Sequence, residues 1–171
     1  MAEPIQETVI RSIQAAESLY HRLVLLVGES GSGKTAVLRD VASQLGVSVI
    51  NINLEISKRL LEMTAKQRML QLPVLLDQIV DADIAVVVID NLEILFDKEL
   101  KQDPLRLLQR IARNRCVVAS WNGSAKDGKL IYAESDHPEH RVYESTDILI
   151  VGMDGAGASS LAKKNKEAGQ V

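Results

Sequence analysis

The segment Gly28-Glu29-Ser30-Gly31-Ser32-Gly33-Lys34-Thr35 constrains this chain more than any other feature. It follows an aliphatic run, Leu23 to Val27, and precedes helical periodicity from Lys34 to Leu45. The order is therefore strand, loop, helix, which is the context the G-x-x-x-x-G-K-[ST] pattern requires. The residue types suit a polyphosphate. Glycines let the backbone curl so that consecutive N–H groups and the helix N-terminus face negative charge. Lys34 adds a mobile cation, and Thr35 offers a hydroxyl to Mg²⁺, which takes oxygen ligands and shares them with phosphates. The candidate nucleotide-binding set is Gly28, Glu29, Ser30, Gly31, Ser32, Gly33, Lys34, Thr35 and Ala36.

The rest of the chain alternates in the same way. Ile5, Val9, Ile13 and Ala16 recur at helical spacing, so residues 1–20 are read as an amphipathic N-terminal helix region. Val47 to Ile52 reads as a second strand, followed by helical segments at about 54–63 and 73–80, with Pro73 placed in a first turn. Ile84 to Ile89 is an uninterrupted aliphatic run, expected as a strand buried on both faces. Pro104 opens a helix to about Asn114, and Cys116 to Ser120 forms another short strand. Leu130–Ala133 and His140–Tyr143 are expected to pair as a hairpin, with Ile148–Val151 as the last strand. Residues 152–171, rich in Gly, Ala, Ser and Lys, are expected to be a disordered tail after a core at 21–151. The prediction is an α/β, three-layer P-loop NTPase of RecA/AAA-like type with a mainly parallel sheet.

Asp90 ends the apolar run at 84–89, the layout of a Walker B strand whose carboxylate supports Mg²⁺. A helix N-cap uses the same residue type. Thr35 and Asp90 are thus the candidate metal residues. Room for an extra strand, Val47 to Ile52, between Thr35 and Asp90 resembles the additional-strand ATPase division that includes the AAA+ proteins. Members of that division often place a catalytic glutamate directly after the aspartate, where this chain has Asn91. An amide cannot act as a general base. Glu93 is two residues further on and is the candidate base, although a solvated helix-start carboxylate fits as well. Asn122 falls at the carboxyl end of the next strand, where parallel sheets place their ligands, and resembles a sensor-1 residue. Asn122-Gly123 also suits an ordinary turn. Lys34, Asp90, Glu93 and Asn122 are the candidate catalytic residues.

At 171 residues and 46% apolar content, one domain is expected. A net charge of −3 gives no global basic field for nucleic acid. Arg106, Arg110 and Arg113 share one side of the helix from Pro104, a stripe that suits solvent, an acidic partner, or DNA phosphates. An arginine finger between subunits could come from Arg59, Arg68, Arg110 or Arg113. His21, His137 and His140 lack metal-ligand spacing, and the lone Cys116 excludes an intramolecular disulfide. With no signal-peptide layout and no apolar run near the ~18 residues that span a bilayer, a cytoplasmic location is expected. A guanine-specific [NT]-K-x-D motif is absent.

Beyond the P-loop, the distinctive segments are Val88 to Phe96, Lys101 to Leu108, Ala119 to Gly123 and the Tyr132 to Tyr143 region. Together they resemble the BrxF family, the small P-loop proteins of type III BREX bacteriophage-exclusion systems, over about residues 5–151. The resemblance implies a bacterial cytoplasmic ATPase working with a large ATPase, a DNA methyltransferase and an alkaline-phosphatase-like protein. The expected activity is Mg-ATP binding with slow hydrolysis that controls assembly of a defence complex, with self-association of the chain. Two rivals remain: a nucleotide-gated adaptor that does not hydrolyse, suggested by Asn91, and a small-molecule kinase, suggested by the spacing of Gly28, Gly31 and Gly33.

Overall fold

In the computed structural model, which describes residues 3–80, 83–144, 148–154 and 157–160, Leu23–Gly28 forms strand β1. Leu23 to Val27 are all buried. A strand with no polar side must be covered on both faces, and its alternating side chains divide between two apolar layers. Val24 and Leu26 face helices α1 (Ile5–Ala16) and α2 (Lys34–Leu45). Leu23, Leu25 and Val27 share a core with α3 (Ile52–Leu60), α4 (Ala65–Ile79) and α5 (Pro104–Ile111). The result is the expected three-layer α/β arrangement. Through Val9, Ile13 and Ala16, α1 belongs to the first of these cores.

The other strands are β2 (Val49–Asn51), β3 (Val86–Asp90), β4 (Cys116–Lys126), β5 (Lys129–Tyr132), β6 (Arg141–Glu144), β7 (Leu149–Gly152) and β8 (Gly157–Ser160). The sheet runs β2-β3-β4-β1-β7-β8. Its first five strands are parallel, and β8 is antiparallel to β7. The two Walker strands, β1 and β3, are not neighbours, and the strand between them is β4. The Val47–Ile52 segment, expected to supply the extra strand, contributes β2 at the far edge. Strand order depends on crossovers that helix and strand periodicity does not encode.

Three further expectations are corrected. Pro73 lies inside α4, which begins eight residues earlier at a Thr64/Gln67 capping box. Proline removes the donor to the carbonyl four residues back, that of Met69, and the Gln102 side chain supplies a replacement at 2.8 Å. The strand from Cys116 does not stop at Ser120: β4 continues to Lys126 and turns through Asp127-Gly128, both at positive φ, into β5. An Asp-Gly pair at positive φ matches the twist of a two-residue hairpin. Finally, Gly157–Ser160 is a strand rather than disordered tail. The edge of β7 offers a backbone ladder that needs no apolar side chains, so hydrophobic periodicity gives no warning of it; residues 161–171 lie outside the described residues.

The expected hairpin forms as β5 and β6, in register from Lys129↔Glu144 to Tyr132↔Arg141. It is anchored by aromatic contacts: Tyr132 stacks on Phe96, while Trp121 meets Phe96, Tyr132 and Tyr143 edge-on. Trp121 Nε1 also donates to the Ile131 carbonyl at 3.0 Å. Cys116 is buried, and burial pushes its thiol up to about 12, which suits a structural residue.

Gly123 is where β5 approaches β4 most closely. A Cβ there would sit 1.8 Å from the Ile131 carbonyl oxygen, against backbone that cannot swing aside. Gly123→Ala is expected to destabilise the fold by about 3 kcal/mol, at the upper end of overpacking costs. That corresponds to a fall in Tm of roughly 6–12 °C for a chain of this size. A thermal melt shifted by less than about 2 °C would contradict the packing described.

Candidate functional site

The site is built at the carboxyl ends of β1 and β3 and in the middle of β4, where its parallel pairing with β1 ends at Asn122. The P-loop leaves β1 at Gly28 and turns through Gly31 (φ 82°) and Gly33 (φ 97°), conformations that L side chains rarely adopt. Gly33 occupies the N-cap of α2, which has no side-chain cap and no acidic residue in its first turn. The first N–H groups of that helix are thus left for an anion. Glu29, Ser30, Gly31, Ser32, Thr35 and Ala36 are exposed around this end.

Lys34 is buried and folded back into the loop. Its Nζ donates to the carbonyls of Gly28 (2.8 Å) and Glu29 (2.7 Å) and, at 3.4 Å, to Ser32 Oγ. Desolvation pulls its ammonium below the ordinary lysine range, and the fields of Asp90, Glu93 and Glu29 oppose that shift. The cation is therefore held by carbonyl dipoles, partners that phosphate oxygens can replace with full charges.

Thr35 and Asp90 meet as expected. Thr35 Oγ1 donates to Asp90 Oδ2 at 2.7 Å, and Ser120 Oγ donates to Asp90 Oδ1 at 2.6 Å. Asp90 is nearly inaccessible at 5% exposure. Hydroxyl and carboxylate are hard oxygen donors, the kind Mg²⁺ uses together with phosphates and water. Among the described residues no group of three or more His, Cys, Asp or Glu forms a metal cage. Two oxygen donors fill only part of the octahedral shell of Mg²⁺, so they suit a cation that also takes phosphate and water ligands.

Glu93 is brought into the site by the residue that replaces the usual glutamate. Asn91 is left-handed (φ 56°), a conformation asparagine tolerates better than most residues. Its carbonyl accepts from Asn53 N at 2.9 Å. The chain doubles back into a short 3₁₀ turn, Glu93–Phe96. Both oxygens of Glu93 are then held: Oε1 accepts from Asn122 Nδ2 at 2.8 Å, and Oε2 from Asn53 Nδ2 at 2.9 Å. Asn53 Oδ1 in turn accepts from Ile94 N at 2.7 Å. Glu93 is a gripped carboxylate rather than a solvated helix start. Asn53 was not among the sequence candidates; the available signal was a polar residue just after a β-branched strand, the reasoning that found Asn122.

A cavity of about 800 Å³ opens beside these residues, lined by Glu29, Ser30, Glu93, Asn122 and Tyr132 and roofed by the loop from Ala133 to Glu139. A second, of about 420 Å³, lies between the P-loop, Gly123–Lys126 and Met153.

The candidate arginines bond to their own neighbours, and of the three histidines His137 lines the larger cavity. Arg59 pairs with Glu55, Arg106 with Asp103 and Arg110 with Asp77. Arg68 donates to the Met63 carbonyl, and Arg113 covers the Tyr20 ring. The Arg106, Arg110 and Arg113 stripe is therefore partly neutralised by its neighbours. His21, His137 and His140 each bond to backbone. No helix among the described residues is long and apolar enough to cross a membrane.

Comparison with known proteins agrees with this geometry. Residues 24–115 match the ATPase family associated with various cellular activities (AAA). No curated protein matches the sequence. The solved structure of C. elegans PCH-2 is similar at 18% identity and a TM-score of 0.46, over 87% of this chain and 41% of that one. This chain thus spans less than half the length of that protein.

Proposed function

The chain belongs to the ATPase family associated with various cellular activities, and on that premise we propose that it is a slow Mg-dependent ATPase whose hydrolytic carboxylate, Glu93, is oriented by two amides and restrained by one of them, Asn53. Nucleotide binding follows from the family and the P-loop. The proposal adds the roles of individual residues. The exposed N–H groups of the P-loop and the α2 terminus bind the phosphates, and Lys34 exchanges its carbonyl partners for phosphate oxygens. Thr35 and Asp90 present oxygen ligands on the α2 side. When bound there, Mg²⁺ neutralises phosphate charge and polarises the transferred group.

The observation that carries the reading is the grip of Asn53 and Asn122 on the two oxygens of Glu93. The two amides fix the direction in which the carboxylate faces, and each oxygen keeps a lone pair able to take a proton from water. Loss of the Asn53 amide lets the carboxylate turn towards a bound water, whereas loss of Asn122 removes its support from the strand beside the P-loop. The two amides differ in position: Asn122 lies on β4 beside the P-loop strand, and Asn53 lies at the start of α3. Asn122 is therefore assigned to respond to the bound nucleotide and Asn53 to restrain the base.

The test compares ATP affinity and turnover in the native protein, Asn53→Ala and Asn122→Ala. Affinity is expected to stay within about threefold in both, while Asn53→Ala turns over several times faster and Asn122→Ala about tenfold slower, less than the roughly 10²–10⁴-fold that a general base itself contributes. Native turnover in both variants would remove the grip as a control device.

The biological setting we propose is phage exclusion of the type III BREX kind, supported by the resemblance of Val88–Phe96, Lys101–Leu108, Ala119–Gly123 and Tyr132–Tyr143 to BrxF proteins. In that setting nucleotide state controls assembly with the large ATPase, the methyltransferase and the alkaline-phosphatase-like protein, and the chain self-associates in the cytoplasm. A small-molecule kinase is disfavoured because the loop over the larger cavity carries Glu134, Asp136 and Glu139 instead of arginines for a phosphorylated substrate.

A further inference from the structure

Where β3 ends at Asp90, the middle of β4 places a serine in the layer facing α2, which is apolar up to that point. Along β4 the side chains facing that layer are Cys116, Val118 and then Ser120, and along β3 Val88 is followed by Asp90. The register pairs Val88 with Val118 and Ile89 with Ala119, so Asp90 falls beside Ser120 on the neighbouring strand. Both are buried, at 5% and 6% exposure. We propose that Ser120 is a positioning residue that sets the divalent-cation affinity of the P-loop site by fixing the Asp90 carboxylate.

Two hydroxyl protons fix the orientation of the Asp90 carboxylate. A hydroxyl has one proton and two lone pairs. Thr35 gives its proton to Asp90 Oδ2, so only lone pairs remain to face a cation. That assignment holds only while Oδ2 points at Thr35. The Ser120 bond to Oδ1 fixes the plane of the carboxylate and satisfies an acceptor that would otherwise be buried without a partner. Outer groups that orient metal ligands in this way typically change metal affinity by ~10–100-fold when removed. Ser120 was not a sequence candidate, because one hydroxyl in an aliphatic strand carries no motif.

The inference rests on the reading of Thr35 and Asp90 as the cation residues. The experiment titrates Mg²⁺ into protein with a fluorescent ATP analogue and follows anisotropy, for the native chain, Ser120→Ala and Ser120→Thr; binding in EDTA is measured alongside. Ser120→Ala is expected to raise the Mg²⁺ concentration for half-maximal enhancement by about tenfold, with metal-free affinity unchanged, which also shows that the variant is folded. Ser120→Thr keeps the hydroxyl and is expected to restore the native curve to within about threefold. A native Mg²⁺ curve in Ser120→Ala, or an equal loss of binding in EDTA, overturns the role given to Ser120. A native protein whose binding ignores Mg²⁺ overturns the cation assignment as well.

Discussion

Lys34→Ala is expected to lower the affinity for Mg-ATP by at least about a hundredfold, equivalent to roughly 2.7 kcal/mol. The ammonium is buried and prearranged in the loop, and its current partners are two carbonyls that compete weakly with phosphate. Charge-assisted hydrogen bonds contribute about 1.5–3 kcal/mol each, and two to phosphate oxygens account for the loss. Calorimetry on the native and variant chains measures it. In a host that depends on this chain for phage exclusion, the same substitution is expected to restore plaque formation.

A pH dependence accompanies this effect. Burial lowers the Lys34 pKa below 10.5 in the free protein. Phosphate charges next to the ammonium favour its protonated form, so the bound pKa lies above the free one. Affinity is then constant while the free protein keeps Lys34 charged, and falls as pH rises through the lowered free value. The decline is expected to begin below 10.5 and to be absent in Lys34→Ala.

Glu93→Gln is expected to reduce ATP turnover by about 10²–10⁴-fold, the usual contribution of a general base, with affinity within about threefold of native. Glutamine keeps the length and polarity of the side chain but cannot take a proton from water. The matched control is Asn91→Gly, which preserves the positive φ that returns the chain and the carbonyl that accepts from Asn53. Asn91 contributes backbone geometry in this account, so the control is expected to turn over at close to the native rate. Single-turnover kinetics with saturating ATP separates chemistry from binding. Normal chemistry in Glu93→Gln would assign the base elsewhere.

Much of the fold is legible because each feature announces itself locally. The β1 run is apolar throughout, so it reads as a buried strand. Gly46 ends α2 at a left-handed φ, as a C-terminal glycine should. The phosphate loop is legible because its glycines and Lys34 sit in fixed sequence, and Asp90 because a carboxylate closes an aliphatic strand.

What was not legible depends on contacts between distant segments. Pro73 looks like a helix start until Gln102, from another element, satisfies the Met69 carbonyl. Sequence shows Asn91 only as a missing glutamate; in the structure its backbone is left-handed, and Glu93, two residues on, meets Asn53 and Asn122. Asn53, at the start of α3, and Asn122, on β4, converge on one carboxylate from segments far apart in sequence. The extension of β4 past Ser120 was signalled by Asp127-Gly128, a hairpin pair that reads clearly once two alternating strands flank it.

The most direct test of the account is ATP turnover per chain, measured with Mg²⁺ and with EDTA over a range of protein concentrations. The prediction is slow turnover that requires Mg²⁺, disappears in Lys34→Ala and rises per chain as self-association proceeds. ATP that binds tightly yet is never hydrolysed with Mg²⁺ at any concentration would contradict the assignment of Glu93 as a working base and leave a nucleotide-gated adaptor in its place.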